Sequence, residues 1–216
     1  GISYSFESGK IYSIVGRNGS GKSVLLKIIA GLYLQDKGNV LFDNKNYNMI
    51  NEIPDNLGIV IEQPSFINDL TGLENLKLLA SIRNVATERD IVESLEIVNL
   101  KDDMNKKYSK YSLGMRQKLS IAQAIMEHQK VILLDEPFNG IDRQSVVAIK
   151  EYLKRLKNED KLIIITTHIM DDVVDFGLPS GTMWCKYNLD VNPNKLSKAK
   201  DWYGKYYAWG ELKPNK

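Results

Sequence analysis

Two rhythms of apolar and polar positions alternate along roughly the first 176 residues. Short apolar runs predict strands at Ile2–Phe6, Ile11–Val15, Val40–Phe42, Leu57–Ile61, Val131–Leu134 and Leu162–Thr166. Between them, apolar residues recur at helical spacing and predict helices at Lys22–Ala30, Leu73–Ile82, Glu88–Val98, Leu113–Met126, Arg143–Leu156 and Ile169–Asp175. The last core strands are unbroken apolar runs, which suits a parallel sheet buried on both faces. Between Pro64 and Lys130 the pattern is mostly helical. The expected organisation is an α/β core of residues 1–65 and 131–176, an inserted helical subdomain of 66–130, and a tail of 177–216 without the earlier periodicity. That tail carries seven lysines against Asp190, Asp201 and Glu211, together with aromatics such as Trp184, Trp202 and Trp209.

Bulk composition narrows the class without naming it. Hydrophobic residues make up 43% and charged residues 26% of the 216, ordinary values for a globular protein. A net charge of +2 does not make the whole surface a polyanion binder. No apolar run approaches the ~20 residues of a membrane span, and no secretory signal pattern is present. The chain begins at Gly1 and nearly in a strand, which reads as an N-terminal truncation. Cys185 has no second cysteine to pair with, and a reducing compartment fits. Two distant histidines and one cysteine disfavour a structural zinc site.

The sharpest chemical signal is Gly16-Arg17-Asn18-Gly19-Ser20-Gly21-Lys22-Ser23, which fits G-x-x-x-x-G-K-[ST], the phosphate-binding loop of nucleoside triphosphatases. Its glycines let the backbone curl so that successive N–H groups face one anion. Lys22 reaches the β- and γ-phosphates and the Ser23 hydroxyl binds Mg²⁺. A predicted strand precedes the loop and a predicted helix follows it, which is the order this chemistry requires.

Three further segments could serve the same nucleotide. Val131–Leu134 is an apolar strand that ends in Asp135-Glu136-Pro137. Asp135 at its C-terminal end is placed to bind Mg²⁺, and Glu136 to act as general base on water. Ile163-Ile164-Ile165-Thr166-Thr167 ends in His168, which could bond a γ-phosphate or stand as a solvated bystander. Gln63 follows a predicted strand and precedes Pro64, so it is either a sensor of Mg²⁺ and water or a surface loop residue. Ser112 reads as the N-cap of the helix from Leu113, and such a helix start can hold an anion. Either this is a capped helix and nothing else, or a second anion site beside the phosphate loop implies a second nucleotide, which another copy of the protein could hold.

Taken in order, these residues resemble the nucleotide-binding subunit of an ATP-binding-cassette (ABC) transporter. The resemblance rests on the phosphate loop, Gln63, the signature Ser112-Leu113-Gly114-Met115, Leu134-Asp135-Glu136-Pro137, the loop Asn139-Gly140-Ile141-Asp142 and His168. The stretches Ile61–Phe66 and Leu70–Leu76 are similar to the branch that exports, or gives immunity to, peptide antibiotics. The resemblance implies a P-loop (RecA-like) α/β fold, with a mainly parallel sheet, antiparallel edge strands and an inserted helical subdomain. It implies ATP and Mg²⁺ as ligands and a head-to-tail dimer, either a homodimer or a pair with a related chain. Each ATP then lies between Gly16, Asn18, Gly19, Ser20, Gly21, Lys22 and Ser23 of one subunit and Ser112, Gly114 and Asp142 of the other. Ser23, Gln63 and Asp135 are implied metal-binding residues, and Glu136, His168 and Gln63 catalytic ones. A separate transmembrane subunit is implied to contact the region Gln63–Ala80. The implied location is cytoplasmic, peripheral on the inner face of the cell membrane, and no nucleic acid is expected.

Three departures stand out. The signature reads Tyr-Ser-Leu-Gly-Met in place of Leu-Ser-Gly-Gly-Gln, although Ser112 and Gly114 are kept. The aromatic residue that stacks on adenine in the family lies upstream of Gly1. The segment after about Asp175 does not follow the family's usual continuation. Two other readings stand beside the transport ATPase: a soluble ATP-gated clamp on ribosome or nucleic acid, supported by the basic aromatic tail, and a truncated cassette with weak activity.

Overall fold

The computed structural model describes residues 3–46, 54, 56–62, 65–168 and 183–184. Gln63, Pro64 and the helix expected at Ile169–Asp175 lie outside the described residues. The elements run β1 (Lys10–Val15), α1 (Lys22–Ile29), β2 (Leu41–Phe42), β3 (Lys45–Asn46), β4 (Leu57–Val60), α2 (Gly72–Arg83), α3 (Glu88–Ile97), α4 (Leu113–Ile125), β5 (Val131–Asp135), α5 (Arg143–Asn158), β6 (Leu162–Thr167) and β7 (Met183–Trp184).

β4, β5, β6, β1 and β7 lie side by side in that order and pair in parallel. The register sets Val15 against Thr167 and Asp135 against Thr166. The C-terminal ends of β1, β5 and β6 therefore meet at one edge of the sheet. That edge is where strand order departs from chain order and where such sheets bind ligands. β2 and β3 form a separate antiparallel hairpin. Its two turn residues, Asp43 (φ 48°) and Asn44 (φ 63°), take the positive φ that a tight hairpin turn requires and that short polar side chains tolerate.

Strand side chains alternate between faces, so the continuous isoleucine run of β6 serves two cores at once. Ile164 joins Tyr12, Ile14 and Leu133 against Leu26 and Ala30 of the α1 segment. Ile163 and Ile165 belong to the opposite cluster, with Leu119, Ile121 and Ile125 of α4 and Ile149 and Leu153 of α5. Leu76 of α2 and Leu95 of α3 belong to that same contiguous cluster. The helical segment between β4 and β5 is thereby welded to the face of the sheet opposite α1.

Caps set where these helices begin. Thr71 accepts the Glu74 N–H at 3.1 Å while the Glu74 carboxylate accepts the Thr71 N–H at 2.7 Å. Thr87 and Asp90 repeat the exchange at the start of α3, with distances of 3.2 and 2.8 Å. Each cap is worth about 1 kcal/mol and fixes the first turn.

The strand expected at Ile2–Phe6 does not form over residues 3–6. Its alternation is real, but it reflects ring packing. Tyr4, Phe6 and Tyr12 meet edge to face with centroids 4.8 to 5.9 Å apart. The Glu7 N–H goes to the Tyr12 hydroxyl at 3.0 Å instead of to a ladder partner. β7 is the reverse case: two residues of the aperiodic tail pair with Ser13 and Ile14 of β1.

Candidate active site

The loop between β1 and α1 curls because its glycines take backbone conformations that other residues adopt only with strain. Gly19 has φ 80° and Gly21 has φ 91°. At Gly16 a Cβ would sit 2.6 Å from Ser20 Oγ, so a side chain there would push that hydroxyl aside. Asn18 and Gly19 are exposed at its tip; Ser20 and Ser23 are half-buried. Among the described residues, α1 differs from the other helices at its start. α2, α3, α4 and α5 are capped by the side chains of Thr71, Thr87, Ser112 and Asp142. The N-cap of α1 is Gly21, and no side chain caps it. The first-turn N–H groups and the positive end of the helix dipole are thus left to an external anion.

Lys22 opens that helix with only 5% of its surface exposed. Its ammonium donates to Gly16 O at 2.8 Å and Arg17 O at 3.1 Å, across the mouth of the loop. It also lies 3.3 Å from Glu136 Oε1. Glu136 follows β5 with φ 44°, a left-handed conformation that costs a side-chain-bearing residue roughly 1–2 kcal/mol. The surrounding bonds hold it there. Its N–H donates to Thr166 Oγ1 at 3.0 Å and Thr166 O at 3.1 Å. Its Oε2 faces His168 Nδ1 at 2.6 Å and accepts from Asn139 Nδ2 at 2.8 Å. Burial opposes ionisation of this carboxyl and is the largest single influence. The hydrogen bonds from Asn139, Lys22 and His168 together outweigh it and hold the acid below its ordinary value.

β6 ties the parts together. Thr167 O accepts the Gly16 N–H at 3.3 Å, and the buried Thr166 hydroxyl donates to Asp135 Oδ1. The phosphate loop, Asp135, Glu136 and His168 are therefore gathered at one sheet edge. Thr166 and Asn139 were not among the candidate site residues. For Thr166 the sequence shows only two threonines ending an isoleucine run; its partners follow from the register of β6 against β5.

Ser112 and Gly114 lie on a different surface. Ser112 caps α4 by accepting the Met115 N–H at 3.2 Å. A Cβ on Gly114 would come within 2.4 Å of Gly140 O, so the signature segment packs directly on the Asn139–Asp142 loop. Asp142 caps α5 by accepting the Ser145 N–H at 2.9 Å and the Ser145 hydroxyl at 2.8 Å. Those bonds, led by the Ser145 N–H, hold its carboxyl at about 2. Among the described residues, neither Ser112 nor Gly114 bonds to the phosphate loop.

The donor set suits magnesium that arrives with phosphates. Ser23 and Asp135 offer hard oxygens beside the loop, and no cluster of three or more His, Cys, Asp or Glu among the described residues could cage a metal alone. Mg²⁺ is characteristically held by one or two carboxylates plus substrate phosphates.

A family model described as ABC transporter matches residues 1–139. YybJ of Bacillus subtilis, an ABC transporter ATP-binding protein, is 35% identical over 92% of this chain and 88% of its own length. That match runs into the segment beyond residue 177. BcrA of Enterococcus faecalis, a bacitracin transport ATP-binding protein, is 35% identical over 92% of this chain and 65% of its own. Among solved structures, the dimeric post-hydrolysis state of the ATP-binding cassette MJ0796, bound to ADP and Pi, superposes with a TM-score of 0.73 at 27% identity, covering 81% of each chain. No helix among the described residues is long and apolar enough to cross a membrane. From the family match and from relatives spanning most of its length, the chain belongs to the ABC transporter family and has the fold of its ATP-binding cassettes.

Proposed function

We propose that this chain binds and hydrolyses MgATP and, paired head to tail with a second nucleotide-binding subunit, drives a membrane transporter. The observation that carries the reading is the convergence on Glu136. Its two carboxylate oxygens face Lys22 of the phosphate loop at 3.3 Å and His168 at 2.6 Å, although the three residues come from the start of α1, the end of β5 and the end of β6. A carboxylate shared by a phosphate-binding lysine and a histidine is placed to take a proton from water attacking a bound triphosphate.

The N–H groups of Gly19–Ser23 and the Lys22 ammonium hold the triphosphate. Ser23 and Asp135, together with Gln63, would hold Mg²⁺, which would supply positive charge against the phosphate oxygens. Lys22 turns from the carbonyls of Gly16 and Arg17 to the phosphates, which frees Glu136 Oε1 for the water. His168 orients the carboxylate through Oε2, and Thr166 fixes the backbone that carries both acids. Ser112, Gly114 and Asp142 present the second face of the sandwich to the partner's nucleotide. The dimeric state of the MJ0796 cassette supports that arrangement.

The exposure of Ile67 (49%) and Leu78 (47%) supports docking of a transmembrane subunit around Gln63–Ala80, and Ile82 (74%) lies one turn beyond Leu78 on α2. Such docking places the chain at the inner face of the membrane. The similarity to BcrA favours a peptide antibiotic as cargo.

Replacing Glu136 with Gln tests the reading. ATP binding is retained, turnover falls by about a hundredfold or more, and MgATP accumulates a closed dimer. Wild-type turnover in this variant would overturn the base assignment. Salt-sensitive binding of RNA in place of a membrane partner would favour the soluble clamp.

A further inference from the structure

Lys118 is a buried charge with no part in the chemistry above. It sits on α4 with 9% of its surface exposed. Its ammonium donates to Asn99 O at 3.1 Å, to Asp142 Oδ2 at 3.3 Å and to Ser145 Oγ at 3.3 Å. Asn99 follows α3 in a left-handed conformation (φ 52°), and Asp142 and Ser145 open α5. One cation therefore joins the end of α3, the body of α4 and the start of α5. Burying a lysine is costly, and a packed apolar residue would usually serve stability as well. What an apolar residue cannot supply is three directed bonds that fix where a loop lies.

The loop in question is 137–142. α4 grips it at two more points. Gln117 Nε2 donates to Pro137 O at 3.2 Å, and Gly114 abuts Gly140 O so closely that no Cβ fits. The same loop carries Asn139, whose amide donates to Glu136 Oε2 at 2.8 Å. The start of α4, the loop and the Glu136 carboxylate are thus consecutive links of one contact chain.

We propose that Lys118 is a positioning residue that clamps the 137–142 loop to the start of α4, so that Asn139 stays against Glu136 while Ser112 and Gly114 keep a fixed register with that loop. The inference rests on the reading of Glu136 as the base. Movement of the partner-facing segment is then passed to the hydrolytic carboxylate by direct contact. Lys118 itself touches neither nucleotide nor water.

Full-length Lys118→Met, Lys118→Arg and Asp142→Asn variants test the clamp, by steady-state ATPase assays and by titration with a fluorescent ATP analogue. Lys118→Met lowers kcat about tenfold while affinity for the analogue changes less than about twofold, because the phosphate loop is untouched. Lys118→Arg restores most of kcat, since a guanidinium reaches the same acceptors. Asp142→Asn keeps the helix cap but removes the ionic partner, and lowers kcat similarly. The Lys118→Met/Asp142→Asn double variant is no slower than the slower single, as expected when both break one contact.

Wild-type kcat in Lys118→Met, no rescue by arginine, or multiplicative effects in the double variant would overturn the clamp. If Lys118→Met does not fold, wild-type kcat in Asp142→Asn overturns it alone. A Glu136→Gln variant that turns over normally sinks the base assignment and the clamp together. An inactive Glu136→Gln beside a fast Lys118→Met sinks only the clamp.

Discussion

Lys22 and Glu136 form an ion pair across the sheet edge, with Nζ 3.3 Å from Oε1 and both side chains largely withdrawn from water. Each has another claim on it. In the proposed mechanism Lys22 serves the triphosphate and Glu136 serves the attacking water. On the proposed reading, binding a phosphate draws the ammonium away from the carboxylate, so ligand entry and release of the base are one event.

Lys22→Ala tests that exchange. It removes a charge-assisted donor to the phosphates, so ATP affinity falls at least tenfold to a hundredfold, roughly the loss expected for one or two such bonds. Isothermal titration with MgATP reads the change. Unaltered affinity would contradict the assignment of the phosphate loop.

Thr166→Val is the sharper test of how the two acids are held. The hydroxyl is fully buried, donates to Asp135 and accepts from the Glu136 N–H. Valine keeps the shape, takes the hydroxyl donor from Asp135 and leaves the Glu136 N–H only the Thr166 carbonyl, at a cost of about 1–3 kcal/mol by chemical denaturation. Turnover falls roughly tenfold because Glu136 sits in a left-handed conformation that those bonds maintain. Thr166→Ser restores both properties. A valine variant as stable and active as wild type would remove Thr166 from the site.

The sequence made Glu136 legible and Thr166 not, and the difference is physical. A phosphate loop has a fixed spacing because backbone N–H groups must converge, and an acid after an apolar strand follows from the ligand-binding edge of a parallel sheet. Those are one-dimensional signatures. Thr166 serves through its register against Asp135, which depends on strand order, and strand order is not written locally. The same limit explains Ile2–Phe6, where alternation put Tyr4 and Phe6 on one face but could not say that they would stack on the Tyr12 ring rather than pair with a neighbouring strand. Lys118 reads in sequence as an ordinary polar residue early in a helix. Only the meeting of α3, α4 and α5 turns it into a buried cation. Asn139 could be named as part of a family loop, but its bond to Glu136 depends on how that loop folds back.

The pH dependence follows from the same contacts. Glu136 must be ionised to accept a proton, and its carboxyl is held below the ordinary 4.5. The acidic limb of kcat/KM therefore lies below that value wherever the fold survives. Asn139→Ala removes one of the bonds that lower it, so the limb moves to higher pH. A pH–rate profile of the two proteins checks the direction, and an unmoved or downward limb would contradict the assignment. Stability has its own acid window. Asp90 and Asp142 are held at about 2 against an ordinary 3.8, the first mainly by the Thr87 hydroxyl and the second by the Ser145 N–H. A depressed carboxylate contributes stability that is present above its unfolded value and lost as pH falls through the folded one. The loss thus falls between pH 3.8 and about 2. Asp90→Asn and Asp142→Asn keep serviceable caps, so urea midpoints flatten across that interval. Both sites are solvent-accessible enough that screening keeps each contribution small.

Glycine substitutions separate space from backbone strain. At Gly58 a Cβ would lie 2.0 Å from Ala124 O, where β4 meets the backbone of α4. At Gly114 it would lie 2.4 Å from Gly140 O. Neither neighbour is a flexible side-chain end, so one element must move. Gly58→Ala therefore destabilises by about 1–3 kcal/mol or more, as overpacking does elsewhere. Gly114→Ala costs a similar amount and displaces the 137–142 loop, so it also lowers turnover. Gly19→Ala is different: nothing lies within 4 Å of its Cβ, and only the φ of 80° resists. It should cost roughly 1–2 kcal/mol and act mainly on ATP affinity. Thermal melts and ATPase rates on the three variants give the ordering. A Gly58→Ala protein as stable as wild type would mean that β4 and α4 do not approach as closely as this packing requires.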